Sequence, residues 1–336
     1  MAMQALAGLD TEIVEQVRRG LVAEFATLSA AGAPIDTPTL YFPSDDLSSI
    51  DVATGLAYPA KADRARRNPK VGLLIEGRPG QPLISIAGLA AVRDADLQAN
   101  AERYLAETAF AMAGAPPWSI ARKAVWYWTR VIVQITPRVV RWWDDADAPP
   151  KVWRAPEHAD APSSDPAPSG KPSAAPAWPN EPWPEQAAQS LAQGVPGRLT
   201  LADDEGFPLP FLVRTISLRE AGFELEVPRG APWRRVGKAT LSFEGRATFV
   251  GEASDDGAQV RFIVERALPV LPLARDPAQL WEPRPETLDA LMQRLRHEAA
   301  RRGQPIPSLP AELPPPTGGA RLRMASFAAA ASGTAD

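Results

Sequence analysis

The chain has 336 residues, of which 45% are hydrophobic and 23% charged, and its net charge is −4. This length predicts about two domains, and the composition is that of a soluble globular protein with no overall attraction to nucleic acid or membranes. Cysteine is absent, which excludes disulfides, thiolate nucleophiles and cysteine-ligated metals.

The two histidines, His158 and His297, lie in a proline-rich segment and on a predicted surface helix. We therefore expect neither a histidine-based metal site nor a Ser-His-Asp triad. No signal-peptide pattern and no apolar run of membrane-spanning length occurs, so we expect a cytoplasmic protein without a membrane partner.

The first elements form a helix and a hairpin. A helix is predicted from Asp10, its N-cap, to Arg19, because apolar residues recur at helical spacing before Gly20. Strands are predicted over residues 21–29 and 37–42, with a turn around Gly32 between them.

Residues 50–77, IDVATGLAYPAKADRARRNPKVGLLIEG, form the most informative segment. A strand over residues 50–54 ends at Gly55, and a second apolar run begins at Val71. The basic residues between them are Lys61, Arg64, Arg66, Arg67 and Lys70. Asn68-Pro69 marks the end of the intervening helix. Backbone N–H groups at a helix start with a lysine in the first turn are typical of a phosphate site. The alternative is a basic helix that is simply solvated.

Further strands are predicted over residues 83–92, where Gly88 marks a bulge or a close approach, and 131–136, with a helix over residues 95–113 between them. Four tryptophans lie on either side of the strand over residues 131–136, at positions 126, 128, 142 and 143. They could stack on a planar ring, although burial in a core is the commoner role of tryptophan.

The sequence contains an internal repeat. Residues 26–42 have a counterpart in residues 199–215, and KVGLLIEG (70–77) has one in KATLSFEG (238–245). Counting back without gaps from the shared Glu-Gly places Arg229 opposite Lys61. The second copy is shorter, since it lacks the Asn-Pro stop and the long helix.

The segment around Lys61-Ala62 and Asn68-Pro69 resembles the pyridoxamine 5′-phosphate oxidase-like family of FMN-binding split β-barrels, and the resemblance covers about residues 10–145. Family members commonly read Ser-Arg-Lys-Ala here, and the Ser, Arg and Lys hold the FMN phosphate. In this chain Pro59 and Ala60 replace the Ser and Arg. The resemblance implies that the following residues contact the cofactor or line its cleft: Lys61, Thr54, Tyr58, Arg64, Arg66, Thr37, Thr39, Tyr41 and, from the second copy, Arg229.

The predicted fold is α+β, mainly β: two tandem split β-barrels with flanking helices. The predicted parts are an FMN-binding barrel (1–147), a Pro/Ala-rich linker (148–188), a second, degenerate barrel (189–282), a C-terminal helix (283–304) and a mostly disordered tail (305–336). In the resembling family two barrels form a dimer with flavin in the interface clefts. We expect the two barrels of this chain to form that pair internally, with a homodimer as the alternative.

The resemblance implies an FMN-dependent oxidoreductase acting on a small molecule, with the redox chemistry supplied by the cofactor. No acid or base stands out, which leaves Tyr41 and Tyr58 as candidates for proton transfer. Three alternatives stay open: a deazaflavin-binding relative, a haem-binding relative, and a non-catalytic protein that has lost its cofactor. Haem is disfavoured because neither histidine lies in a predicted barrel, whereas Pro59 and Ala60 favour the loss of the cofactor.

Overall fold

The computed structural model describes residues 6, 8–108, 116–156, 162–174, 181–257, 259–270 and 277–331. In these residues the chain forms two seven-stranded sheets with helices around them, as predicted for an α+β protein that is mainly β. None of the described helices combines the length and apolarity needed to cross a membrane.

The first sheet closes into a barrel. Its strands are β1 (Val22–Leu28), β2 (Pro34–Pro43), β3 (Ile50–Gly55), β4 (Lys70–Ile75), β5 (Leu83–Arg93), β6 (Arg130–Trp143) and β7 (Lys151–Arg154). The order is β3-β2-β1-β4-β5-β6-β7, and a further pairing of β3 with β6 closes six strands into the barrel. The strand β6 continues through the predicted end at Thr136: its first half pairs with β3 and its second half with β7. The expected bulge at Gly88 is confirmed, because the register shifts between Ala87 and Gly88 opposite Pro137.

The second sheet remains open. Its strands are β8 (Arg198–Ala202), β9 (Pro208–Leu212), β10 (Thr215–Arg219), β11 (Gly222–Glu226), β12 (Gly237–Phe243), β13 (Ala247–Asp255) and β14 (Val260–Ala267), in the order β10-β11-β14-β13-β12-β8-β9. Within the described strands β9 does not pair with β11, so the sheet is a curled half-barrel. Trp183 fills part of its core against Phe223 and Phe249.

The helices are α1 (Thr11–Arg19), α2 (Ala60–Arg67), α3 (Leu97–Thr108), α4 (Trp118–Ala121), α5 (Val125–Trp128), α6 (Trp183–Ala192), α7 (Pro285–Arg301) and α8 (Gly318–Ala331). The predicted helix from Asp10 and the predicted C-terminal helix (283–304) are confirmed as α1 and α7, and α2 ends before Asn68-Pro69 as expected. The helix predicted over residues 95–113 begins at Leu97, and residues 109–115 lie outside the described residues.

The strand pairings confirm the duplication. In sheet order β1, β2, β4, β5 and β6 correspond to β8, β9, β12, β13 and β14. The first hairpin of each half turns at a glycine with positive φ, 78° at Gly32 and 81° at Gly206. A side chain three residues earlier, Ser29 or Asp203, accepts a hydrogen bond from the backbone N–H four residues on. The turns therefore align Gly32 with Gly206, one residue away from the alignment of residues 26–42 with 199–215.

The two sheets pack closely where β4 and β12 meet the opposite hairpins. A Cβ on Gly72 would lie 1.9 Å from the carbonyl oxygen of Pro208, so only glycine fits there. At the equivalent place in the other half, Thr240 donates a hydrogen bond to the carbonyl of Pro34. Equivalent residues of the two halves thus make the interface on both sides.

Parts of the predicted linker and tail are ordered on the domains. Ser173 N–H donates to Glu298 of α7 at 2.7 Å, and Trp153 of β7 packs against the core of the barrel. In the tail, α8 packs on α1 and α3, and its buried Arg323 pairs with Glu107. The Ala- and Gly-rich composition of α8 carries no amphipathic pattern, so these tertiary contacts were not visible in the sequence.

Candidate functional site

The candidate site lies at the turn from β3 to α2. The N–H of Tyr58 donates to the carbonyl of Gly55 at 3.0 Å, and the tyrosine ring covers that glycine. A Cβ on Gly55 would lie 2.5 Å from the ring, so a larger residue here would displace the ring of Tyr58. The helix α2 then begins after Pro59, with no side chain accepting a hydrogen bond from its first-turn N–H groups.

Lys61 lies in this first turn and is half-buried. Its ammonium group has no hydrogen bond or ion pair within the described residues. The pKa of Lys61 is lowered to about 8, first by burial and then by the charges of Arg64 and Arg130, whereas the charge of Glu24 opposes the change. The lysine therefore faces two other cations.

Arg64 lies one helical turn after Lys61. Its Nε donates to the hydroxyl of Thr27 on β1 at 2.7 Å, and burial lowers its pKa to about 10. By the strand register Thr27 shares one face of the β1–β2 hairpin with Thr37. Thr37 Oγ1 is buried and has no hydrogen-bond partner within the described residues.

Arg130 is the first residue of β6 and lies opposite Gly55 in the sheet. It is 5% exposed, and its guanidinium lies 4.4 Å from the ring centroid of Tyr104 and 4.2 Å from that of Tyr127. The hydroxyl of Tyr58 is a further polar neighbour of its side chain, whereas its buried Nε has no hydrogen-bond partner in the described part of the chain. Three tyrosines thus hold an arginine beside Lys61.

A buried carboxyl pair lies next to this basic cluster. Glu24 of β1 is 5% exposed, and its pKa is raised to about 8, first by burial and then by the charge of Asp36, while the charge of Arg198 opposes the rise. Burial also raises the pKa of Asp36 to about 6, although a hydrogen bond from Ser242 lowers it in part. Glu24 Oε1 lies 3.7 Å from Nε of Arg198, so the ion pair that Glu24 forms in the described residues is with Arg198 and not with Lys61.

Other predicted site residues lie on the strands beside the turn. Thr54 Oγ1 donates to the carbonyl of Tyr58 at 3.5 Å, at the limit of a hydrogen bond. Thr39 Oγ1 lies 3.5 Å from the carbonyl of Ala53 on β3, and Thr39 shares its face of β2 with Thr37. The structure therefore brings Thr37, Thr39, Thr54 and Tyr58 around the same end of the barrel.

Tyr41 and Arg66 are committed to other contacts. The buried hydroxyl of Tyr41 donates to the carbonyl of Val17 in α1 at 3.0 Å, and burial raises its pKa. Arg66 pairs with Asp94 at 2.6 Å and donates to the carbonyl of Asp165. These two side chains fasten helices and the ordered linker, and the structure does not bring them to Lys61.

Arg229 lies apart from Lys61 as well. It is exposed, and its backbone N–H donates to Asp147 in the β6–β7 turn at 3.0 Å. The indole N–H of Trp143 donates to the neighbouring carbonyl of Gly230 at 3.0 Å. Residues 227–236, which are all described, contain no counterpart of α2. The second half therefore has no equivalent of the basic turn.

The four tryptophans singled out in the sequence are all buried in hydrophobic cores, which favours packing as their role; they are Trp126, Trp128, Trp142 and Trp143. In the described residues no group of three or more His, Asp or Glu is placed to hold a metal ion. Sequence reasoning missed Thr27, Glu24 and Arg130. The one local sign of Arg130 is a charge placed between Trp-Tyr-Trp-Thr and an apolar strand.

The sequence matches no model of a protein family and no curated protein. Solved structures resemble about two fifths of it. A pyridoxamine 5′-phosphate oxidase-related, FMN-binding protein from Nostoc punctiforme shares 13% identity over 41% of this chain and 85% of its own, with a TM-score of 0.32. General stress protein 26 from Bacillus anthracis shares 17% identity over 43% of this chain and 95% of its own, with a TM-score of 0.30. The haem storage protein HutZ from Vibrio cholerae shares 14% identity over 39% of this chain and 90% of its own, with a TM-score of 0.28. These partial likenesses carry no conclusion about function.

The strand topology itself defines the class of protein. A closed six-stranded barrel is followed by a half-barrel with the same strand order, as expected for a tandem duplication of a split β-barrel. The fold predicted from the resemblance to the pyridoxamine 5′-phosphate oxidase-like proteins is confirmed. Among the residues that the structure describes, the basic turn occurs at α2 of the first barrel.

Proposed function

We propose that this protein binds flavin mononucleotide and is a flavin-dependent oxidoreductase acting on a small molecule. One observation carries the proposal: Lys61, Arg64 and Arg130 cluster at the uncapped start of α2, and none of them forms an ion pair within the described residues. A buried cation such as Arg130, or a half-buried one such as Lys61 or Arg64, is costly without a carboxylate partner, and a bound anion would offset that cost.

The donors present fit a phosphate group. First-turn N–H groups of a helix together with basic side chains are the usual donors to phosphate oxygens. Pro59 and Ala60 supply no side-chain donor, but the N–H of Ala60 has no side-chain acceptor. Two further donors, Thr37 Oγ1 and Arg130 Nε, are buried and have no partner among the described residues. The site thus offers enough donors without the Ser and Arg of the resembling family.

The chain's residues bind and orient, and a bound flavin supplies hydride- or electron-transfer chemistry. Lys61 retains its proton at Nζ below its pKa of about 8 and so stays a donor at neutral pH. Burial raises the pKa of Tyr58 although the charge of Arg130 lowers it in part, so Tyr58 stays a neutral phenol. We assign no proton-transfer step to either residue.

A deazaflavin with a phosphate group would present the same chemistry to Lys61 and is the second candidate. Haem gains no support from His297, which lies on α7 with Nε2 3.0 Å from the carbonyl of Lys171. His158 lies outside the described residues. The third candidate is a protein without a cofactor, and the visible spectrum of the purified protein distinguishes it from the other two.

The visible spectrum of the freshly purified protein tests the proposal. We expect a flavin spectrum, or its appearance on adding FMN, followed by release of FMN on heating and its identification by mass. A bound deazaflavin would be recognised by its own spectrum and mass. Colourless protein that does not quench the fluorescence of micromolar FMN would instead support a non-catalytic scaffold.

A further inference from the structure

Arg130 is a buried cation whose neighbours do not neutralise it. The groups around its guanidinium are the phenol rings of Tyr104 and Tyr127 and the hydroxyl of Tyr58. No carboxylate forms an ion pair with it among the described residues. Aromatic faces attract a cation but contribute much less than a counter-ion does, so burial of Arg130 costs free energy unless an anion is bound.

The position of Arg130 connects it with the basic turn. Its backbone pairs with Gly55, where β3 ends and the turn to Lys61 begins. Tyr58, within that turn, packs on Gly55, and its hydroxyl interacts with the charge of Arg130. Arg130 thus lies at the end of β3 from which the chain turns to Lys61, and its charge lowers the pKa of Lys61. Two cations that repel each other without a counter-ion are suited to hold one multiply charged anion.

We propose that Arg130 is a second anion-binding residue of this site and that, together with Lys61, it holds a phosphate monoester as the dianion. The inference rests on the proposed function and adds to it a residue and a ligand charge. Tyr104 and Tyr127 are positioning residues, since their rings hold the guanidinium plane from which the planar donors reach the phosphate oxygens. Tyr58 connects that plane to the turn.

FMN and riboflavin separate this role from a structural one, because they differ only in the phosphate. We expect Arg130→Gln to weaken FMN binding by about 10- to 150-fold and to leave riboflavin binding unchanged. Arg67→Gln is the matched control, since Arg67 is an exposed arginine of α2 without a hydrogen bond or ion pair in the described residues. An unchanged preference for FMN over riboflavin in Arg130→Gln would overturn the inference, and so would an equal loss for both ligands.

Arg130→Lys decides the question if the glutamine variant does not fold. It keeps the charge and loses the planar donor group, so we expect a smaller loss of affinity, confined to FMN, whereas an unchanged preference for FMN over riboflavin overturns the inference.

If the wild type binds neither FMN nor riboflavin, the proposed function fails, and inorganic phosphate tests Arg130 separately. Phosphate should then raise the thermal midpoint of the wild type and of Arg67→Gln but not that of Arg130→Gln. No effect of phosphate on the wild type would overturn the role of Arg130 too.

Discussion

Lys70 and Lys238 occupy equivalent positions near the starts of β4 and β12 and donate equivalent hydrogen bonds across the interface between the two sheets. Lys70 Nζ lies 2.5 Å from the carbonyl oxygen of Glu205, and Lys238 Nζ lies 2.5 Å from that of Ala31. Each carbonyl belongs to the residue before a turn glycine. One chain thus reproduces the paired contacts that a twofold axis generates in a homodimer.

The first prediction concerns the closest approach in this interface. Gly72→Ala places a methyl group against the backbone of Pro208, which cannot move aside as a side chain could. We expect the free energy of unfolding to fall by about 1–3 kcal/mol, measured by urea denaturation. Gly318→Ala is the control, because a Cβ there meets nothing within 4 Å. An unchanged midpoint for Gly72→Ala would show that the sheets are not in contact at this place.

The second prediction concerns the first barrel alone. Residues 1–147 lose both the half-barrel and α7, whose Leu291 and Leu295 lie in the core of the first barrel. We expect this fragment to aggregate or dimerise when expressed alone, because apolar surface is exposed. Coexpression with residues 148–336 should restore a soluble one-to-one complex in size-exclusion chromatography. A monodisperse monomer of the fragment alone would rule out a need for internal pairing.

The third prediction is that one flavin binds per chain, at Lys61. Lys61→Ala removes a charge-assisted hydrogen bond, so FMN affinity should fall by about 1.5–3 kcal/mol, or about 10- to 150-fold. Arg229→Ala should have a smaller effect, since Arg229 is exposed beside Asp147, and Arg67→Gln should have none. Calorimetric titration gives both stoichiometry and affinity. Two sites per chain, or wild-type affinity in Lys61→Ala, would show that the anchor lies elsewhere.

The fourth prediction is that FMN affinity declines as the pH rises through about 8. Lys61, whose pKa is lowered to about 8, then loses its proton, and Glu24, whose pKa is raised to about 8, becomes negatively charged. The loss of the lysine charge removes an attraction to the phosphate, and the new negative charge on Glu24 repels it. Lys61→Arg keeps its charge and should show a shallower decline in fluorescence titrations. Equal pH profiles for this variant and the wild type would exclude Lys61 as the titrating group.

The fifth prediction concerns stability. The pKa of Glu24 rises from 4.5 to about 8 on folding, so the folded state binds a proton more tightly than the unfolded state. The stabilisation is therefore complete below pH 4.5, the pKa of the unfolded state, and is lost as the pH rises through about 8. The pKa of Asp36 is also raised, to about 6, so its contribution to the free energy of unfolding likewise falls as the pH rises to about 6. Lys61, Glu76 and Arg198 are the other charges that affect Glu24.

Glu24→Gln should flatten this dependence, because glutamine stays neutral as the protonated acid does. Urea midpoints measured across the interval from pH 6 to pH 8 provide the test. Glu252→Gln on the exposed side of β13 is the matched control. A wild-type stability that increases over this interval would contradict the raised pKa of Glu24.

The sequence by itself determined the elements whose signals are local. Asn68-Pro69 ended α2, Lys61 lay in its first turn, and the repeated turn at Gly32 and Gly206 revealed the duplication and with it the tandem barrels. Local signals suffice here because proline and glycine restrict or free the backbone at their own positions.

Only the tertiary structure decided which side chains meet. Arg130 lies opposite Gly55, where the turn to Lys61 begins, because β6 closes the barrel on β3, and strand pairing of residues distant in sequence cannot be read from spacing. The structure also committed Tyr41 to Val17 and Arg66 to Asp94, although both residues belong to well-predicted elements. Periodicity predicts the face on which a residue lies, but its partner depends on which element packs against that face.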